Sequence, residues 1–202
     1  YGTIGTVIKY RYKTTIDNIY SEVNMRILYI DWPCFGKVDV QFTLEQAGHE
    51  FIPFFHKDYQ ERNSSEFEEA FRTFVGDTHY DCCFSFNYFH IVSNMCKEFG
   101  IKYISVIYDS PYVMLYSYSL INPNNYVFMF DKQEYLKLKS GGINTVYYSP
   151  LPVNSTIIDF LMDKPFDKDK LCADVSFVGS LYNEDHNFYD RLTGLNRSEE
   201  HT

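Results

Sequence analysis

From Met25 onward, short apolar runs alternate with stretches in which apolar residues recur every three or four positions, a pattern that predicts βαβ units and a parallel sheet. Ile27 to Ile30 reads as a first strand, and Lys37 to Ala47 as a helix with Val40, Leu44 and Ala47 on one face, closed by Gly48. Phe51 to Phe55 reads as the second strand. Ser65 and Glu68 have capping-box spacing at the head of a helix carrying Phe67, Ala70, Phe71 and Phe74. A third strand at Cys82 to Phe86 and a helix from Tyr88 to Phe99, stopped by Gly100, follow. Tyr103 to Ile107 is continuously apolar, as a strand buried on both faces would be. Beyond a Tyr-rich, poorly periodic stretch come a fifth strand at Val127 to Phe130, a short helix opened by Asp131 and Glu134 and running through Leu138, and a sixth strand at Thr145 to Tyr148. The expected fold class is therefore α/β, with a Rossmann-like parallel sheet of about six strands flanked by helices.

Either side of this body the pattern changes. Tyr1 to Asn24 has no clear period of either kind and reads as a doubtful extension, native or translated from upstream DNA. Pro150 and Pro152 exclude regular structure around them, Ser155 to Met162 reads as a brief helix, and residues 163–172 form a charged linker. Asp174 to Tyr182 then reads as a strand running into a glycine turn, the start of a second α/β domain over residues 173–196 that is not completed. Arg197 to Thr202 matches the translation of a sequencing-library adapter and is set aside as read-through.

Composition narrows the function classes. The 202 residues are 45% hydrophobic, ample for a core, and their formal net charge of -9 argues against sequence-independent binding to nucleic acid or anionic lipid. Aromatic residues reach 19%, which suits clefts for sugars or flat rings but also follows from AT-rich coding DNA. Cys34, Cys82, Cys83, Cys96 and Cys172 show no C-x-x-C spacing and read as thiols of a reducing compartment. With no apolar run long enough to span a bilayer and no visible signal peptide, the expected location is cytoplasmic, with no integral membrane segment.

In open α/β sheets ligands collect at the carboxyl ends of the strands, so the loops there are the places to look for chemistry. The loop from Asp31 to Lys37 delivers Gly36 and Lys37 to a helix start, where free N–H groups and a lysine can hold an anion; the alternative is a turn glycine beside a solvated lysine. Asp109, after the fourth strand, is a candidate general base or else the cap of the turn it forms with Ser110 and Pro111. Asn87, after the third strand, is a weaker case of the same kind. The turn at Gly179, Ser180 and Leu181 is a candidate pyrophosphate site. The histidines lack H-x-x-x-H or related spacing, so no metal site is expected, and no G-x-S-x-G elbow is present.

Several of these pieces, in order, carry a family resemblance. They are Phe35 to Asp39, Asp109 to Pro111, Val127 to Asp131 with Gly142 eleven residues on, Tyr148 to Asn154, and Asp174 to Tyr182. Together they resemble bacterial glycosyltransferases of the CgeB type, named for spore maturation, over their N-terminal domain and the first strand of the C-terminal one. The resemblance implies a GT-B enzyme with an acceptor-side N-terminal domain and a donor-binding C-terminal domain that takes a nucleotide-sugar. It implies transfer of a sugar to the hydroxyl of a sugar, glycan or protein acceptor, without a cofactor. On this reading Asp109 is the catalytic base, Gly36, Lys37, Asp39, Asn87 and Ser110 bind acceptor or phosphate, and Gly179, Ser180 and Leu181 bind the donor. A fragment ending where this one does is expected to be inactive. A non-catalytic sugar-binding or scaffolding relative is the alternative; a receiver-type signalling module fits poorly, since Asn87 stands where an aspartate would be needed.

Overall fold

The computed structural model describes residues 24–155 together with 158, 159, 163, 165 and 172–175. The elements are β1 (Arg26–Asp31), α1 (Lys37–Gln46), β2 (Glu50–Phe55), α2 (Ser65–Val75), β3 (Cys82–Phe86), α3 (His90–Glu98), β4 (Lys102–Ile107), two 3₁₀ turns (Val113–Leu115 and Tyr118–Ile121), β5 (Asn125–Met129), α4 (Lys132–Ser140) and β6 (Val146–Tyr148). The chain divides into two compact units after Asn154, and all of these elements belong to the first.

All six strands pair in parallel, in the order β2-β1-β3-β4-β5-β6. The Rossmann-like α/β sheet expected from the sequence is thus present. Its order reverses between β1 and β3, so the loops leaving those two strands diverge and open a crevice at the carboxyl end of the sheet. Pro53 lies in β2, an edge strand, where its missing N–H interrupts no second ladder.

The register assigns the faces. Leu28, Ile52, Cys83 and Tyr103 are successive partners across the sheet, as are Ser85 and Ser105, and Ile107 and Met129. This set, with Phe54, Val127 and Val146, forms the strand side of the core; Phe67, Phe71, Ile91, Val92, Met95, Leu115, Leu120 and Leu138 supply the other side. Phe54 meets Phe67 and Phe71 edge-on, with ring centroids 5.6 and 5.4 Å away. Each such buried phenylalanine contributes on the order of 1.5–3 kcal/mol from area alone.

Right-handed crossovers place α2, α3 and α4 on this face and α1 on the opposite one. No residue of α1 joins the core cluster; Val40, Leu44 and Ala47 are half-buried, while Val38 and Phe42 are exposed. This corrects the expectation for β4: Tyr103, Ser105 and Ile107 are buried, but Ile104 and Val106, on the α1 side, are only half-covered. Its continuous apolar run reflects one packed face and one partly open face.

A second correction concerns the α2 cap. Ser64, not Ser65, is the N-cap; its Oγ accepts the Phe67 N–H at 3.1 Å. Asp131 caps α4 as expected, accepting the N–H groups of Gln133 and Glu134 at 2.9 and 3.2 Å. Among the described residues no helix is long and apolar enough to cross a membrane. The Tyr1 to Val23 segment, most of the expected helix at Ser155 to Met162 and of the 163–172 linker, and the expected adapter-derived tail lie outside the described residues.

Candidate functional site

The crevice is floored by aromatic rings. Trp32, just past β1, donates from Nε1 to the Phe86 carbonyl at 2.9 Å, stacks on Tyr108 at 6.1 Å, and meets Phe89 edge-on at 5.7 Å. Tyr59 packs against both Trp32 and Phe89. Burial pushes the Tyr108 hydroxyl up to about 12, with the thiol of Cys34 and the carboxylate of Asp109 adding to it, so the phenol is a neutral hydrogen-bonding group at neutral pH.

Asp109 leaves β4 beside this floor, and its Oδ2 accepts from Asn87 Nδ2 at 2.7 Å. Asn87 is buried and sits at φ 57, in the left-handed region that asparagine tolerates better than most residues. Its backbone N–H donates to Val106 O at 2.8 Å, its Oδ1 accepts the Tyr108 N–H at 3.2 Å, and its carbonyl accepts from Ser85 Oγ at 2.5 Å. Asn87 therefore staples the β3 and β4 exits together and aims one oxygen of Asp109. The other oxygen, Oδ1, has no hydrogen-bond partner among the described residues, and Asp109 is exposed.

Gly36 occupies the N-cap of α1 at φ 88. A Cβ there would lie 2.9 Å from Phe86 Cζ, so both backbone and space call for glycine. The structure thus brings Gly36 against the β3 exit while Asn87 joins β3 to Asp109. Lys37 is engaged elsewhere: its Nζ pairs with Asp31 Oδ2 at 2.5 Å, which offsets the charge an incoming anion would meet. Asp39 accepts from Asn154 Nδ2 at 2.6 Å. Ser110 donates to Asp131 Oδ2 at 2.5 Å, tying the β4 exit to the α4 cap. Gly179, Ser180 and Leu181 lie outside the described residues, as does the expected strand beyond Asp174 and Val175, which form a bend.

The setting of Cys34 disfavours its thiolate. Burial pushes its thiol up, outweighing the hydrogen bond with Tyr29 at 3.3 Å that pulls it down. Sequence spacing gave no hint that His56, Asp58 and Glu66 would converge, yet their ligand-type atoms lie within 4.8 Å of one another. One atom of each is engaged within the chain: His56 Nδ1 accepts the Asp58 N–H at 3.2 Å, Asp58 Oδ2 accepts from Ser64 Oγ at 2.7 Å, and Glu66 Oε2 pairs with Lys57 at 3.3 Å.

No protein-family model and no curated protein sequence matches the chain.

Proposed function

We propose that the chain is the acceptor-side domain of a glycosyltransferase that takes a nucleotide-sugar donor and delivers the sugar to an acceptor hydroxyl. The observation that carries the reading is the Asn87–Asp109 pair: a buried amide holding one oxygen of an exposed carboxylate whose other oxygen is open, at the rim of an aromatic floor. A base for hydroxyl attack needs a carboxylate held in place with one lone-pair site open to the incoming proton. Apolar ring faces beside polar groups suit the alternating faces of a sugar.

The strand order is shared with flavodoxin-like modules, so the reading rests on the crevice and not on the topology. The acceptor hydroxyl would attack the anomeric carbon while its proton passes to Asp109; the C–O bond to the nucleoside diphosphate breaks and carries the electron pair away. Lys37 and Asp39 act as structural supports here, because each is already engaged within the chain. The test is Asp109→Asn in the complete gene product, where turnover should fall by about two to four orders of magnitude with donor affinity unchanged.

A further inference from the structure

A cavity flanks α3, whose first residue, His90, follows Phe89 of the crevice floor. It has a volume of about 760 Å³, the size of a small-molecule site. Its wall along α3 is the stripe His90, Asn94 and Lys97, spaced one helical turn apart, and it faces Arg62 from the β2–α2 loop and Tyr116 and Asn122 from the β4–β5 connection. In a chain with 27 acidic side chains against 18 lysines and arginines, none of the lining residues is acidic.

Three observations converge on this cavity. His90 lines the cavity and is only 4% exposed, and neither Nδ1 nor Nε2 has a hydrogen-bond partner, a costly state for a buried imidazole. Arg62 and Lys97 form no ion pair among the described residues, as is also true of Lys102, Lys132, Lys137 and Lys139, but only these two line the cavity with His90. The α3 N-terminus has no side-chain cap, so its first-turn N–H groups and the positive end of the helix dipole lie beside His90. Asn122 Nδ2 donates to Ser93 Oγ and Asn94 Oδ1, both at 3.1 Å, which leaves Asn94 Nδ2 and Asn122 Oδ1 without partners among the described residues; the Tyr116 hydroxyl already accepts from Lys137 Nζ at 3.0 Å, which adds another positive charge.

We propose that this cavity binds a phosphorylated sugar or polyol, with the phosphate between Arg62, Lys97 and His90 and the hydroxyls on the asparagine amides and Tyr116. The assignment stands independently of the role of Asp109. Burial, and secondarily the charge of Arg62, hold the His90 pKa below its ordinary value of 6.5; a bound dianion reverses the second influence and favours proton uptake.

Thermal stability and titration calorimetry of the full chain with glucose 6-phosphate, inorganic phosphate and glucose test the idea. Glucose 6-phosphate should stabilise at low-millimolar levels and bind more tightly than inorganic phosphate, while glucose alone should have no effect. Arg62→Gln combined with Lys97→Gln replaces solvent-facing groups, so the protein should still fold, and binding should weaken about tenfold or more. The proposal is overturned if glucose 6-phosphate leaves wild type unchanged at about a hundred times the range expected of such sites. It is equally overturned if glucose matches glucose 6-phosphate, or if the double variant responds as wild type does.

Discussion

In the crevice above β1, β3 and β4 each carboxylate has a partner within the chain: Asp31 with Lys37, Asp39 with Asn154, Asp109 with Asn87. In the cavity beside α3 the opposite holds, for Arg62, Lys97 and the buried imidazole of His90 have no hydrogen-bond or ion-pair partner among the described residues. One oxygen of each carboxylate is thus engaged, and at Asp109 the buried amide of Asn87 holds the group in place with Oδ1 open. On the proposed reading, such a site serves one proton transfer. On the proposed reading, the charges of the cavity gain most when an anion arrives.

The largest effect separating the two should come from Asn87. Asn87→Ala removes two side-chain hydrogen bonds and puts a Cβ-bearing residue with no compensating polar group at φ 57. A loss of about 2–4 kcal/mol is expected in denaturant unfolding. Asn87→Gly relieves the backbone and should cost less. Equal losses in the two would mean that the backbone conformation carries no share of the effect.

Gly36→Ala comes next. The new methyl meets the Phe86 ring at 2.9 Å and the backbone must hold φ 88, so about 1–2 kcal/mol should be lost. Because α1 is otherwise loosely packed, the loss should be confined to the crevice side, seen as faster amide exchange at the β1–α1 loop while α2 and α3 stay protected. Uniform loss of protection would show that the two faces of the sheet are not energetically separable.

The smallest effect lies in the cavity. The folded pKa of His90 is depressed, so its neutral form contributes stability that is fully present above the unfolded value of 6.5 and is lost as pH falls toward the folded pKa. Arg62→Gln removes one of the two causes and should raise the His90 pKa part of the way toward 6.5, as read by NMR titration, with stability near neutral pH changing by about 0.5 kcal/mol or less. An unchanged pKa would show that Arg62 does not face the imidazole.

Much of the fold could be read from periodicity because buried strands and amphipathic helices leave a strong imprint. Phe67, Phe71 and the Cys82 to Phe86 run announced α2 and β3 directly. β4 misled because an apolar run records composition and not coverage, and Ile104 and Val106 lie on the face opposite the core, where among the described residues α1 is the only helix. In the crevice, loop position after each strand was enough to single out Asp109, Asn87 and Gly36. It could not show that Lys37 would be spent on Asp31, Asp39 on Asn154 or Ser110 on Asp131, since those pairings depend on side-chain reach. The cavity leaves a weaker sequence signal, the stripe His90, Asn94 and Lys97 at helical intervals, because its other lining residues come from distant loops.

The most direct measurement is made on the complete gene product with a panel of nucleotide-sugars and candidate acceptors, following glycosylated product and nucleoside diphosphate together. Acceptor-dependent release of nucleoside diphosphate in step with product is expected, reduced at least about a hundredfold by Asp109→Asn. Turnover within a few-fold of wild type in that variant would contradict Asp109 as the base, and no transfer or donor hydrolysis with any donor would contradict the glycosyltransferase itself.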